Sequence, residues 1–231
     1  MNNGFDPNAF GRPAFPIGNR LRRACWNTVC SVLFRPSPRP FHGWRRFLLR
    51  SFGARVAPGC HVYPKAVIWA PWNLQMEEGA SIANAAEVYN PELVKIGEYA
   101  VISQGAYLCG ASHDYRQWHF PLISAPITIG RHAWIAARAI VHMGIGIGDG
   151  CVIGAGSVVT KNMPAWSICA GNPCRVIKDY VRGDSLPHFD TAPGARPPPA
   201  AASAVVPMRF GNSNVPDTST LLRPGTGAPR Q

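Results

Sequence analysis

Residues 129–159 read IGRHAWIAARAIVHMGIGIGDGCVIGAGSVV, and an aliphatic residue returns at every sixth position: Ile129, Ile135, Val141, Ile147, Ile153 and Val159. A helix repeats its faces every 3.6 residues and a strand every two, so neither produces a period of six. A parallel β-helix does, because each hexad supplies one short flat strand and one corner, with the aliphatic residue in the core. The fifth position of the hexad is often small (Ala133, Ala139, Cys151, Ser157), and glycine follows the aliphatic residue at Gly130, Gly148 and Gly154. The glycines are expected to let the backbone turn tightly.

The period extends toward the N-terminus as Val56, Val62, Ile68 and Leu74, slips by two to Met76, Ile82, Val88 and Val94, and slips again to Ile96, Ile102 and Leu108. A slip is tolerated at a corner, whereas along a strand it would turn the aliphatic residues outward. Between Leu108 and Ile129 lie 21 residues, which the spacing reads as three coil faces plus three extra. A loop is therefore expected to leave the coil within residues 110–126.

Three segments follow. Residues 1–52 are a basic arm with short helices, 53–178 the β-helix, and 179–231 a Pro/Ala-rich tail expected to be disordered, since its composition cannot offset ordering entropy. In the arm, Leu21, Cys25, Val29 and Leu33 form a four-residue stripe predicting a helix over 19–34. Trp44, Phe47, Leu48 and Phe52 predict a second, shorter one over 44–52.

The net charge of +11 sits mainly in the arm, where residues 1–52 hold nine Arg and one Asp. Such an arm suits an anionic membrane surface, nucleic acid, an acidic patch on a neighbouring subunit, or simple packing as the cap a solenoid needs. Seven scattered cysteines without a CxxC pair argue against a disulfide framework or zinc site and for a reducing compartment. Cys60 and Cys151 are expected as buried small fillers. No apolar leader opens the chain and no apolar run reaches the roughly 18 residues of a membrane span, so a cytoplasmic location is expected.

Five stretches carry a resemblance: Ser112-His113-Asp114-Tyr115, then 126–130 (PITIG), Trp134-Ile135, 153–161 (IGAGSVVTK) and 170–178 (AGNPCRVIK). Together they resemble the hexapeptide-repeat acyltransferases, and within them the colanic-acid-type O-acetyltransferases of exopolysaccharide clusters. Gly43-Trp44-Arg45, Leu48-Leu49, Phe52-Gly53-Ala54 and Pro71-Trp72 fit that branch too, so the likeness covers roughly residues 20–180. It implies a mainly β fold, a left-handed parallel β-helix. The hand comes from the resemblance, since parallel crossovers are ordinarily right-handed.

The resemblance further implies a homotrimer with acetyl-CoA lying between adjacent β-helices and no metal. His113 matches the general base. An alcohol is a poor nucleophile until a base takes its proton, and neutral imidazole can do so near pH 7. Asp114 is a candidate to orient His113 or hold a substrate hydroxyl. Asn90 matches an asparagine beside the acceptor in related sugar acetyltransferases, or is a corner residue tolerating left-handed φ. For acetyl-CoA, Trp134 would lie near the reacting end and Ala137 and Ala155 along the pantetheine. Thr160 would lie near the adenosine, and Lys161, Arg175 and Lys178 at the phosphates. Ala136 and Ala137 stand where galactoside-type relatives often have Gly-Ser, so any contact at 137 is through the backbone.

The implied acceptor is a sugar, including lipid-linked oligosaccharide at the inner face of the membrane, which the basic arm could touch; no nucleic-acid partner is expected. Two other readings compete. A γ-type carbonic anhydrase would need three converging imidazoles from among His113, His119, His132 and His142. A non-catalytic scaffold docking on membrane or polymer would leave His113 dispensable.

Overall fold

The computed structural model describes residues 15–180; the irregular start expected before residue 15 and the tail beyond 180 lie outside the described residues. Each coil visits three short strands in turn, and like strands of successive coils pair in parallel to make three faces. The first face stacks Arg55–Val56, Leu74–Met76, Val94–Ile96, Ile127–Ile129 and Gly146–Ile147. The second stacks His61–Val62, Ser81–Ile82, Val101–Ile102, Trp134–Ile135 and Val152–Ile153, and ends in the antiparallel pair Ser167–Gly171 and Cys174–Asp179. The third stacks Val67–Ile68, Glu87–Tyr89, Tyr107–Cys109, Ile140–His142 and Val158–Val159.

Register follows the hexads. Val62, Ile82, Ile102, Ile135, Ile153 and Cys169 lie one above the other in the core. Every aliphatic hexad residue named above is buried, as are the fillers Cys60 and Cys151. The irregularities all fall on one edge, the corner from the third face to the first. From Ile68 to Met76 and from Val88 to Ile96 that corner takes eight residues, and from Val141 to Ile147 it takes six. Between Leu108 and Ile129 it takes all 21, which corrects the expectation of three coil faces there. The excess instead forms an antiparallel hairpin, Ala111–His113 against Leu122–Ser124, that leaves the coil and returns.

The glycines after the aliphatic residues also act differently from the expectation. Gly130, Gly148 and Gly154 do not have left-handed torsions. A Cβ on Gly148 would lie 2.3 Å from the Ala165 nitrogen, and one on Gly130 2.6 Å from the Asp149 nitrogen. Side chains are excluded there by the stacking of coils, not by the turn.

The arm forms α1 (Ile17–Val29), which continues through a wider turn at Cys30–Phe34, and α2 (His42–Ser51). The expected stripe is not the buried one. Leu21 is 63% and Leu33 43% exposed, whereas Trp26, Cys30 and Phe34, on a neighbouring four-residue stripe, are buried. In α2 the buried residues are Arg45, Leu48 and Leu49, while Trp44 and Phe47 face outward. The preference has a polar cause. Backbone groups of each coil pair alternately with the following coil (His61 N to Ala80 O, Tyr63 N to Ile82 O) and with the preceding one (Tyr99 N to Glu78 O, Ile127 N to Leu93 O), so the backward-pointing carbonyls of the first coil have no coil before them. The helices supply donors. Trp26 Nε1 donates to Ile68 O (2.7 Å), Arg45 Nε to Val62 O (2.6 Å), Arg46 Nη1 to Cys60 O (2.7 Å) and Arg50 Nε to Val56 O (2.8 Å). The open carbonyls of a sheet edge call for donors, and guanidinium has five N–H groups and no acceptor. Much of the arm's arginine content is thereby explained as a cap.

Candidate functional site

His113 is the last residue of the outgoing hairpin strand, paired with Leu122, and its side chain is exposed. Its Nδ1 lies 2.6 Å from the carbonyl oxygen of Phe120. A carbonyl only accepts, so Nδ1 carries the proton of that bond and a neutral ring leaves its lone pair on Nε2. Phe120 has φ of +46°, a left-handed torsion uncommon for an aromatic residue, at the place that offers this carbonyl. No sequence signal marks a backbone acceptor of this kind.

Asp114, next in the chain, does not serve the imidazole. Its carboxylate accepts from Arg116 Nε (2.8 Å), Arg116 Nη2 (3.1 Å), the Arg116 amide (3.1 Å) and Gln117 Nε2 (3.3 Å). The hydrogen bond from the Arg116 side chain is the main reason its carboxyl is held down at about 2. Asp114 therefore ties the hairpin loop together, and Arg116 follows it two residues later as the signal that sequence reading passed over.

Asn90 is corrected more sharply. It is fully buried, with Oδ1 accepting from Ala70 N (2.9 Å) and Nδ2 donating to Ala70 O (2.8 Å). Its amide braces two successive corners and, being fully buried, presents no exposed group to an acceptor, and its torsion is not left-handed either.

The remaining candidates fall into separate places on one chain. Trp134 stands on the second face, 43% exposed, with Nε1 donating to Ser103 Oγ at 2.8 Å. Ala137 and Ala155 occupy the corner from the second face to the third, where Ala137 O accepts from Gly156 N (2.9 Å). Arg175 and Lys178 are exposed on the terminal antiparallel strand that extends the second face. Thr160 and Lys161 are exposed at the other corner, the one from which the His113 hairpin departs a few coils earlier. Within a single chain the third face thus separates His113 from Ala137 and Ala155.

The other histidines are likewise scattered. The His132 ring stacks on Tyr99 at the first corner of its coil (5.4 Å, 5° between planes), and His142 pairs with Cys109 on the third face. Among the described residues no three His, Cys, Asp or Glu side chains are grouped to hold a metal ion, and no helix is long and apolar enough to cross a membrane.

Comparison with known proteins adds to this geometry. Residues 126–161 match the family model described as the hexapeptide repeat of succinyl-transferase. Over 177 residues, 76% of this chain and 97% of the relative, the sequence is 38% identical to the putative colanic acid biosynthesis acetyltransferase WcaF of Escherichia coli (strain K12). Among solved structures, a maltose O-acetyltransferase from Clostridium difficile 630 superposes with a TM-score of 0.68 and 26% identity, over 76% of this chain and 96% of that one. A galactoside acetyltransferase in complex with coenzyme A superposes with a TM-score of 0.65 and 27% identity, over 71% and 84%.

Proposed function

This chain belongs to the hexapeptide-repeat acyltransferases, and from that membership we propose that it carries an acetyl group from acetyl-CoA to a hydroxyl of a sugar, with His113 as general base. The observation that carries the residue assignment is the contact between His113 Nδ1 and the Phe120 carbonyl on an exposed hairpin, which leaves Nε2 as the accepting nitrogen. In the reaction the acceptor hydroxyl attacks the thioester carbon as Nε2 takes its proton. The tetrahedral oxyanion then collapses and breaks the C–S bond, and the imidazolium returns its proton to the departing thiolate. The products are the sugar ester and free CoA, with no acyl-enzyme.

Trp134, Ala137 and Ala155 form the wall proposed for the pantetheine arm, with Arg175 and Lys178 toward the nucleotide end; Thr160 and Lys161, at the corner of the His113 hairpin, would reach the nucleotide from the hairpin's side. The guanidinium and ammonium groups offer charge-assisted hydrogen bonds to phosphate. The separation of His113 from that wall within one chain supports a homotrimer in which one subunit's hairpin faces the next subunit's wall. The relative's name, which assigns it to colanic acid biosynthesis, supports an exopolysaccharide acceptor. The cationic arm is what supports a lipid-linked one at the inner face of the membrane.

The test is direct: purified protein, acetyl-CoA and a panel of sugar acceptors, with release of free thiol followed in time. Acceptor-dependent thiol release that is lost in His113→Ala is the expected result. Absence of acceptor-dependent thiol release with every hydroxylated sugar, or release undiminished in His113→Ala, overturns the corresponding part of the reading.

A further inference from the structure

The cap has two sides. Toward the coil it presents Trp26, Phe34, Leu48, Leu49 and the donor groups of its arginines. Away from the coil it exposes large apolar side chains: Val32 (64%), Leu33 (43%), Phe41 (53%), Trp44 (39%) and Phe47 (58%). The Trp44 ring stacks on Phe47 at 5.7 Å and its Nε1 donates to Leu33 O at 3.0 Å, which ties the segment holding Val32 and Leu33 to the helix that Phe41 precedes.

The same segment is purely cationic. Residues 15–52 contain eight arginines and no acidic residue. The ion pairs between described residues are Lys95–Glu77, Arg116–Asp114 and Arg131–Asp149, none of them in the arm. The capping bonds go to neutral carbonyls, so they order the guanidinium groups without cancelling their charge. Arg45, Arg46 and Arg50 on the Trp44 helix turn toward the coil, while Arg20, Arg35 and Arg39 of the same arm are exposed. A protruding Trp and Phe pair on an arm of uncompensated positive charge suits the surface of a bilayer, with rings at the headgroup boundary and the exposed cations drawn to anionic lipid.

We propose that this outer face of the cap, Val32, Leu33, Phe41, Trp44 and Phe47, is an interfacial anchor that seats the protein on an anionic lipid bilayer. The proposal deepens the reading of the arm as a membrane contact and names the side chains that make it. Two such caps face to face would oppose like charge, and a contact of the cap with another surface of a second copy is the outcome that solution mass detects. An acidic glycan would satisfy the arginines but would leave the apolar side chains in water.

The experiment is co-sedimentation of the full chain with vesicles of phosphatidylcholine alone or mixed with phosphatidylglycerol. Binding to the mixed vesicles is expected, weaker by roughly tenfold or more on neutral vesicles and again in Val32→Ser/Phe47→Ser. Both substituted side chains are exposed, so that variant should keep its melting temperature, its solution mass and its thiol release with a soluble acceptor. Absence of vesicle binding, or binding undiminished in Val32→Ser/Phe47→Ser, overturns the proposal. So does a change in the variant's solution mass, which would make the patch a subunit contact. Because thiol release is read separately, failure of the anchor and failure of the transferase reading are distinguishable.

Discussion

The partner of His113 Nδ1 is the backbone carbonyl of Phe120, at 2.6 Å, and not the carboxylate of the adjacent Asp114. The orienting group is thus neutral and belongs to the returning half of the same hairpin. It fixes the tautomer without adding a negative charge beside the ring. Removing the imidazole in His113→Ala should lower kcat by about 10²–10⁴-fold, the usual contribution of a general base. Because the wall proposed for acetyl-CoA lies elsewhere on the chain, calorimetric binding of CoA should be unchanged. Loss of CoA binding together with activity would assign His113 to the cofactor site instead.

Asp114 makes a separate prediction. Its carboxyl is held below the ordinary carboxylate range, at about 2, chiefly by the Arg116 side chain. A depressed folded-state value means that its contribution to loop order is complete above the unfolded value, about 3.9, and is lost as pH falls through the folded one. Asp114→Asn should loosen residues 114–121 at pH 7, seen as faster amide exchange. The difference from the parent should shrink as pH falls from about 4 toward 2. The pH profile of kcat should keep its shape, since the carboxylate does not touch the imidazole. A displaced profile would contradict this assignment.

Arg45 is fully buried without a carboxylate partner. Its donors reach Val62 O (2.6 Å), Ser37 Oγ (2.8 Å), Pro38 O (2.8 Å) and Arg39 O (2.5 Å). Arg45→Met keeps most of the volume and strands these acceptors, so denaturant unfolding should show a loss of about 3 kcal/mol. Arg45→Lys should recover only part, because an ammonium cannot reproduce the planar fork. A neutral Arg45→Met would show that the cap does not depend on these bonds.

Two glycines separate the roles that glycine plays in the coil. Gly148→Ala would put a Cβ 2.3 Å from the Ala165 nitrogen, a clash with backbone that only movement of a whole corner relieves. Gly156 has φ of +69° but nothing within 4 Å of its would-be Cβ. The cost of Gly156→Ala should therefore be torsional, about 1 kcal/mol, and that of Gly148→Ala at least about 2 kcal/mol. Thermal unfolding of the two variants would show the order, and the reverse order would refute the packing explanation.

The contrast between these residues shows what the amino-acid order carries. The hexads were legible because insertions fall at corners and leave the inward period intact. Register from Val62 to Cys169 therefore follows from counting. The buried stripe of α1 was not, because Leu21-Cys25-Val29-Leu33 and Trp26-Cys30-Phe34 share the same spacing, and only the open carbonyls of the first coil choose between them. Arg45 as a buried residue was equally hidden, since the demand for donors arises from carbonyls of the first coil, such as Val62 O, that no preceding coil pairs. His113 was proposed from its motif, while the group its Nδ1 meets, a carbonyl, has no residue type. Asn90 was misread because a buried amide bracing two corners and an exposed one holding a sugar look alike in one dimension.

The separation of candidates on one chain yields the last prediction. His113 leaves the corner between the third and first faces, whereas Ala137 and Ala155 occupy the corner between the second and third. If each site of a cyclic trimer takes its hairpin from one subunit and its wall from the next, two inactive variants should complement. His113→Ala lacks the base, and Ala155→Trp, at an exposed corner, obstructs the wall while leaving the core untouched. In a trimer assembled at random from equal amounts of the two, about one quarter of the interfaces pair an intact hairpin with an intact wall. Co-expressed and purified through different tags, the mixture should regain about that fraction of wild-type thiol release, with each variant alone inactive. A site contained in one chain would give no recovery, because every chain in the mixture carries a lesion.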